Sequence, residues 1–74
     1  MPRAPRVKGM EFRSIDHLRR YLEDRGWEMV DVWTLGMRSN LTVVAKVRCS
    51  SGTGLIFAKP VGNELVVVEA RFKP

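Results

Sequence analysis

One cysteine and one histidine in 74 residues leave little material for catalysis or metal binding. Cys49 has no partner for an intramolecular disulfide and no second thiol with which to hold a metal, and His17 has no cysteine or second histidine near it. A nucleophile or general base also needs supporting groups within reach, and Cys49 and His17 fall on different elements. The acids show no paired spacing typical of metal ligands. The glycines of Ser50-Ser-Gly-Thr-Gly54 lack the Gly-Lys-Ser/Thr ending and the following helix of a phosphate-cradling loop. The expectation is a protein that is not an enzyme and uses no cofactor and no metal. Long apolar runs are missing too: none approaches the roughly 20 residues of a membrane span, and the amino terminus lacks the apolar centre of a secretory signal. A soluble, cytoplasmic protein without membrane contact is expected.

What the chain does have is ordinary globular composition, 45% apolar and 28% charged residues, in a length that admits one domain. Net charge is +5, from 13 Lys and Arg against 8 Asp and Glu. Its distribution is uneven. Met1 to Met10 carries Arg3, Arg6 and Lys8 with no acid, and the rest of the chain is nearly balanced. Pro2 and Pro5 disfavour helix there. The expected organisation is therefore a flexible basic tail over residues 1–10 and a single α+β domain over residues 11–74. Such a tail can bind phosphate polymers through counterion release, or simply keep the protein soluble.

The clearest helix begins at Ser14, a good cap, with Asp16 in the first turn. Ile15, Leu18, Tyr21 and Leu22 repeat at helical spacing until Arg25-Gly26 closes the segment. Its polar side offers Asp16 with Arg20, Arg19 with Glu23 and Arg20 with Asp24 at four-residue spacing, which suits a solvated outer face. His17 reads as an exposed polar residue on this helix.

Beyond Gly26 the period becomes that of strands, about 27–35, 41–49, 55–59 and 65–72, separated by reversals at Gly36–Asn40, Ser50–Gly54 and Val61–Glu64. In the second strand Leu41, Val43, Ala45, Val47 and Cys49 alternate with Thr42, Val44, Lys46 and Arg48, so the first set faces a core and the second a one-sided sheet's outer surface. The same parity assigns Leu65, Val67, Glu69 and Arg71 outward and Val66, Val68, Ala70 and Phe72 inward. It puts Leu55 and Phe57 outward, with Ile56 and Ala58 inward. Both faces of 27–35 are mostly apolar, and Trp27 and Trp33 read as anchors between helix and sheet in preference to a base-stacking role. The fold class is α+β, one helix packed on a four-stranded antiparallel meander, with closure into a small barrel as an option.

Following the helix, Gly26-Trp-Glu-Met-Val30 resembles the Gly-Trp-Glu-Leu-Val signature of a family of small bacterial domains of unknown function. The resemblance covers roughly residues 18 to 35, with Met29 where that pattern has leucine. It implies a helix packed on an antiparallel sheet and implies no activity. A strand precedes the helix in that family; here only Val7 to Phe12 could supply one, and Gly9 weakens it.

Laid antiparallel, these strands bring Lys46, Arg48 and Arg71 together near the Ser50–Gly54 end and spread Val44, Phe57 and Val67 across the centre. Cations at a rim beside an aromatic in an apolar middle suit single-stranded nucleic acid, with Lys46, Arg48 and Arg71 on phosphates, Phe57 as a stacking platform and Arg3, Arg6 and Lys8 assisting. The alternative is a protein-interaction module or homodimer that covers Val44, Phe57 and Val67. A third option makes that face a barrel interior.

Overall fold

In the computed structural model, which describes residues 4–73, the elements are β1 (Glu11–Phe12), α1 (Ile15–Glu23), β2 (Glu28–Leu35), β3 (Thr42–Cys49), β4 (Gly52–Val61) and β5 (Glu64–Lys73). Every neighbouring pair is antiparallel, and the spatial order is β1-β5-β4-β3-β2. The class is α+β, with five strands rather than four. The added strand is β1, two residues that pair Glu11 with Val66 and Phe12 with Leu65. Gly9 does not prevent this, because it precedes the strand in a turn of positive φ. The outermost strands, β1 and β2, pair only with β5 and β3, so the sheet is open and the barrel option is excluded.

Because β1 and β2 lie at opposite edges, α1 must cross one face of the sheet to join them. Ser14 Oγ accepts the His17 N–H at 3.2 Å and starts the helix. Leu18 and Leu22 point inward, each no more than 1% exposed. Gly26 ends the segment with φ 83°, a conformation that carries no Cβ penalty only for glycine. This lets the Trp27 N–H return to the Leu22 carbonyl at 2.9 Å. On the solvent side Arg19 pairs with both Asp16 and Glu23. Among the described residues Arg20 forms an ion pair with neither Asp16 nor Asp24.

Beneath the helix, Val7, Phe12, Leu18, Leu22, Trp27, Ala45, Val47, Ile56, Ala58 and Val67 form one buried cluster. Each large member contributes roughly 1.5–3 kcal/mol by leaving water. Val7 belongs to this cluster with no exposed surface, and Pro5 is buried as well. The Gly9 N–H donates to the Val67 carbonyl at 2.7 Å, and the Val67 N–H donates to the Met10 carbonyl at 2.9 Å. The boundary expected at residues 10–11 therefore falls inside packed structure. Pro5 and Val7 are buried, and Arg6 and Lys8 are exposed. Met1 to Arg3, and with them one of the candidate phosphate contacts, lie outside the described residues.

Two bulges change which residues share a face. On β2, Met29 is opposite Val47 but Asp31 is opposite Lys46, so Val30 is an extra residue. Trp27 and Met29 consequently face the helix, while Asp31, Trp33 and Leu35 join the outer face. On β5, Glu69 is opposite Phe57 but Val67 is opposite Ala58, so Val68 is extra. Val67, assigned outward by simple alternation, is a core residue at 1% exposure, and Val68, assigned inward, is 39% exposed. The segment Ser50–Gly54 is not a glycine-rich loop either. Cys49 pairs with Gly52 across a two-residue reversal, and β4 begins at Gly52.

Candidate nucleic-acid interface

With the helix on one side, the other side of the sheet is bare, and the pairing register arranges its residues in cross-strand rows. One row runs Glu28, Arg48, Thr53, Lys73; the next Asp31, Lys46, Leu55, Arg71; the third Trp33, Val44, Phe57, Glu69. Side chains opposite one another in such rows stand about 5 Å apart at Cβ. The rows bring Lys46, Arg71 and Lys73 to one end of the face.

These three cations line an open concavity of about 420 Å³ together with Trp33, Thr53, Gly54 and Leu55. None of the three has an ion-pair partner within 4 Å among the described residues. Trp33 is 37% exposed, so part of its ring is available beside them. Gly54 belongs to the helix side of the sheet, in register with Val47 and Phe72. A Cβ there would lie 2.4 Å from Phe72 Cδ1 and 3.0 Å from the Arg71 carbonyl oxygen. Phe72 itself is held edge-on against Trp27, ring centroids 5.0 Å apart.

The residues singled out in the sequence fare differently. Lys46 and Arg71 meet in the concavity. Arg48 lies in the adjoining row but is paired with Glu28 at 3.2 Å, with both side chains mostly exposed; such a pair is worth about 0–1 kcal/mol and competes weakly with a phosphate. Phe57 is half-buried, flanked by Val44 and Glu69. Lys8 reaches Glu69 at 3.8 Å, and Arg6 is exposed. The proposed apolar patch does not exist as drawn. Val67 is on the other face, displaced by the Val68 bulge, and Val44 is only 1% exposed. Its neighbours in the cross-strand row are Trp33 and Phe57.

Trp33, Thr53 and Lys73 were missed. Lys73 continues the alternation of Glu69 and Arg71, so extending that strand by one residue finds it. Thr53 was hidden in the supposed loop, and Trp33 by the bulge at Val30.

Elsewhere, a second open concavity lies at the start of α1, lined by Arg13, Ser14, Asp16, His17 and Arg20. Three of its side chains are already engaged: His17 Nδ1 accepts the Arg13 N–H at 3.2 Å, Ser14 takes the His17 N–H, and Asp16 holds Arg19. At the end of β3, partial burial pushes the Cys49 thiol up, but hydrogen bonds from the Ser51 hydroxyl and the Ser51 and Gly52 amides outweigh it and hold the thiol below its ordinary value. Among the described residues no group of three His, Cys, Asp or Glu could hold a metal ion, and no helix is long and apolar enough to cross a membrane. Comparison with protein-family models, with curated proteins and with solved structures finds no match to this chain.

Proposed function

We propose that this protein is a non-enzymatic binding module for single-stranded nucleic acid, using the bare face of the sheet. The carrying observation is the convergence of Lys46, Arg71 and Lys73, free of ion-pair partners among the described residues, around a concavity walled by Trp33. Unpaired cations that neutralise phosphates release the counterions condensed on the polymer, and an adjacent indole gives a base a surface on which to stack. Trp33 replaces Phe57 as the principal stacking residue, because Phe57 is half-buried and lies next to the acidic Glu69. Arg48 and Arg6 are rim cations, and Lys8 contributes once it leaves Glu69.

A protein-partner role through Val44, Phe57 and Val67 is less well supported, since two of those three side chains are buried. The open sheet also favours an unstacked strand over a duplex, whose bases present no free π-faces. Titration of the protein with single-stranded DNA, single-stranded RNA and duplex DNA at two salt concentrations tests the proposal. Tighter binding to the single strands, weakening as salt rises, is expected. Changing Lys46, Arg71 and Lys73 singly to Gln should each lower the salt slope by about one unit. Absence of salt-dependent binding to any of the three polymers, or binding indifferent to all three substitutions, would overturn it.

A further inference from the structure

Net positive charge on the bare face forms a patch rather than a track. Lys46, Arg71 and Lys73 fall in two adjacent cross-strand rows, and by sheet geometry those rows are about 7 Å apart and β3 is about 10 Å from β5. Around the patch the charge falls away. Arg48 with Glu28 and Lys8 with Glu69 are pairs that add no net charge, and Asp31, opposite Lys46, adds a negative one. The row beyond holds Trp33, Val44, Phe57 and Glu69, and the next cation on β4, Lys59, donates to Asn40 Oδ1 at 3.2 Å. A protein that holds the interior of a single strand lines the backbone path with a positively charged groove. This face offers such a path over one short interval.

We infer, resting on the single-strand reading, that the feature bound in this concavity is a phosphorylated strand end: the terminal phosphate monoester lies among Lys46, Arg71 and Lys73, and the base at that end stacks on Trp33. Concentrated positive charge selects concentrated negative charge. A nucleotide inside a strand carries one negative charge, whereas an end nucleotide adds to its diester a monoester of about −2 at pH 7. Three cations without ion-pair partners among the described residues, lining one concavity of about 420 Å³, match that density. Trp33 is the one aromatic ring among the lining residues and is partly exposed, so the concavity serves the base of a single nucleotide and no run of bases. A monoester at the 5′ or the 3′ end has this chemistry.

Calorimetric titration of the full chain with one oligothymidine in 5′-phosphorylated, 3′-phosphorylated and unphosphorylated forms, at fixed salt, tests the inference. At least one phosphorylated form should bind about tenfold tighter than the unphosphorylated strand, and the form that gains names the end. A longer unphosphorylated strand of equal total charge should show no such gain, which separates an end from added charge. This comparison uses the unmodified protein, so no folding defect can imitate its result. Replacing Arg71→Gln together with Lys73→Gln should abolish the preference while keeping a cooperative melt. Equal, salt-dependent affinity for all three forms would overturn the inference and leave the single-strand reading standing, whereas no binding of any form would overturn both. A gain matched by the longer strand, or a preference kept by the folded double variant, would also overturn the inference.

Discussion

Trp27 and Trp33 lie close together in the chain and on the same side by simple alternation, yet they end in opposite environments. Trp27 is 4% exposed, beneath α1 and against Phe72; Trp33 is 37% exposed, on the face with no covering layer. The difference comes from Val30, the extra residue that turns every later side chain of β2 over. One face thus holds the domain together, and the other is left with an indole beside three cations that have no ion-pair partner among the described residues. Side chains of the same type carry stability in one case and surface chemistry in the other.

The sharpest way to break this comparison is to remove each ring in turn. Trp27→Ala should cost about 3–5 kcal/mol, comparable with the whole stability of so small a domain, and leave the protein largely unfolded by circular dichroism. A cooperative melt close to the parent's would mean that the helix face is not the structural one. Gly54→Ala probes the packing of the helix face. Its methyl group must displace Phe72, which Trp27 blocks, so a loss of about 1–3 kcal/mol is expected in chemical denaturation. An unchanged midpoint would show that the Phe72 ring moves aside freely.

Trp33→Ala makes the converse test. It should weaken single-strand binding by about 1–3 kcal/mol through lost stacking while leaving a cooperative fold. If it instead unfolds the protein as Trp27→Ala does, the division between a structural and a binding tryptophan fails. Phe57→Ala, on the neighbouring strand in the same row, should affect binding less than Trp33→Ala does. Equal losses would restore Phe57 as a platform.

Much of the fold was legible because it follows from local chemistry. Ser14, Asp16 and the spacing of Leu18 with Leu22 specify the helix and its buried side, and the parity of Ala45, Val47, Lys46 and Arg48 specifies the faces of β3. The unbroken alternation of Glu69, Ala70, Arg71 and Phe72 does the same for the end of β5, which is why Arg71 and Lys46 could be placed on one surface. Val7 was less legible, because a single valine among arginines and prolines signals burial only once there is a core to receive it.

Composition and periodicity by themselves determined an α+β class, a helix with one apolar side, and a basic outer surface including Lys46 and Arg71. Only the tertiary structure decided that Val67 is core and that Trp33 is not. The physical reason is that a bulge has no periodic signature: one extra residue is accommodated because the partner strand and the layer above it fit better that way. Which residues of β2 and β5 face the helix is settled by packing against Leu18, Leu22 and Ile56, and those neighbours are far away in the chain.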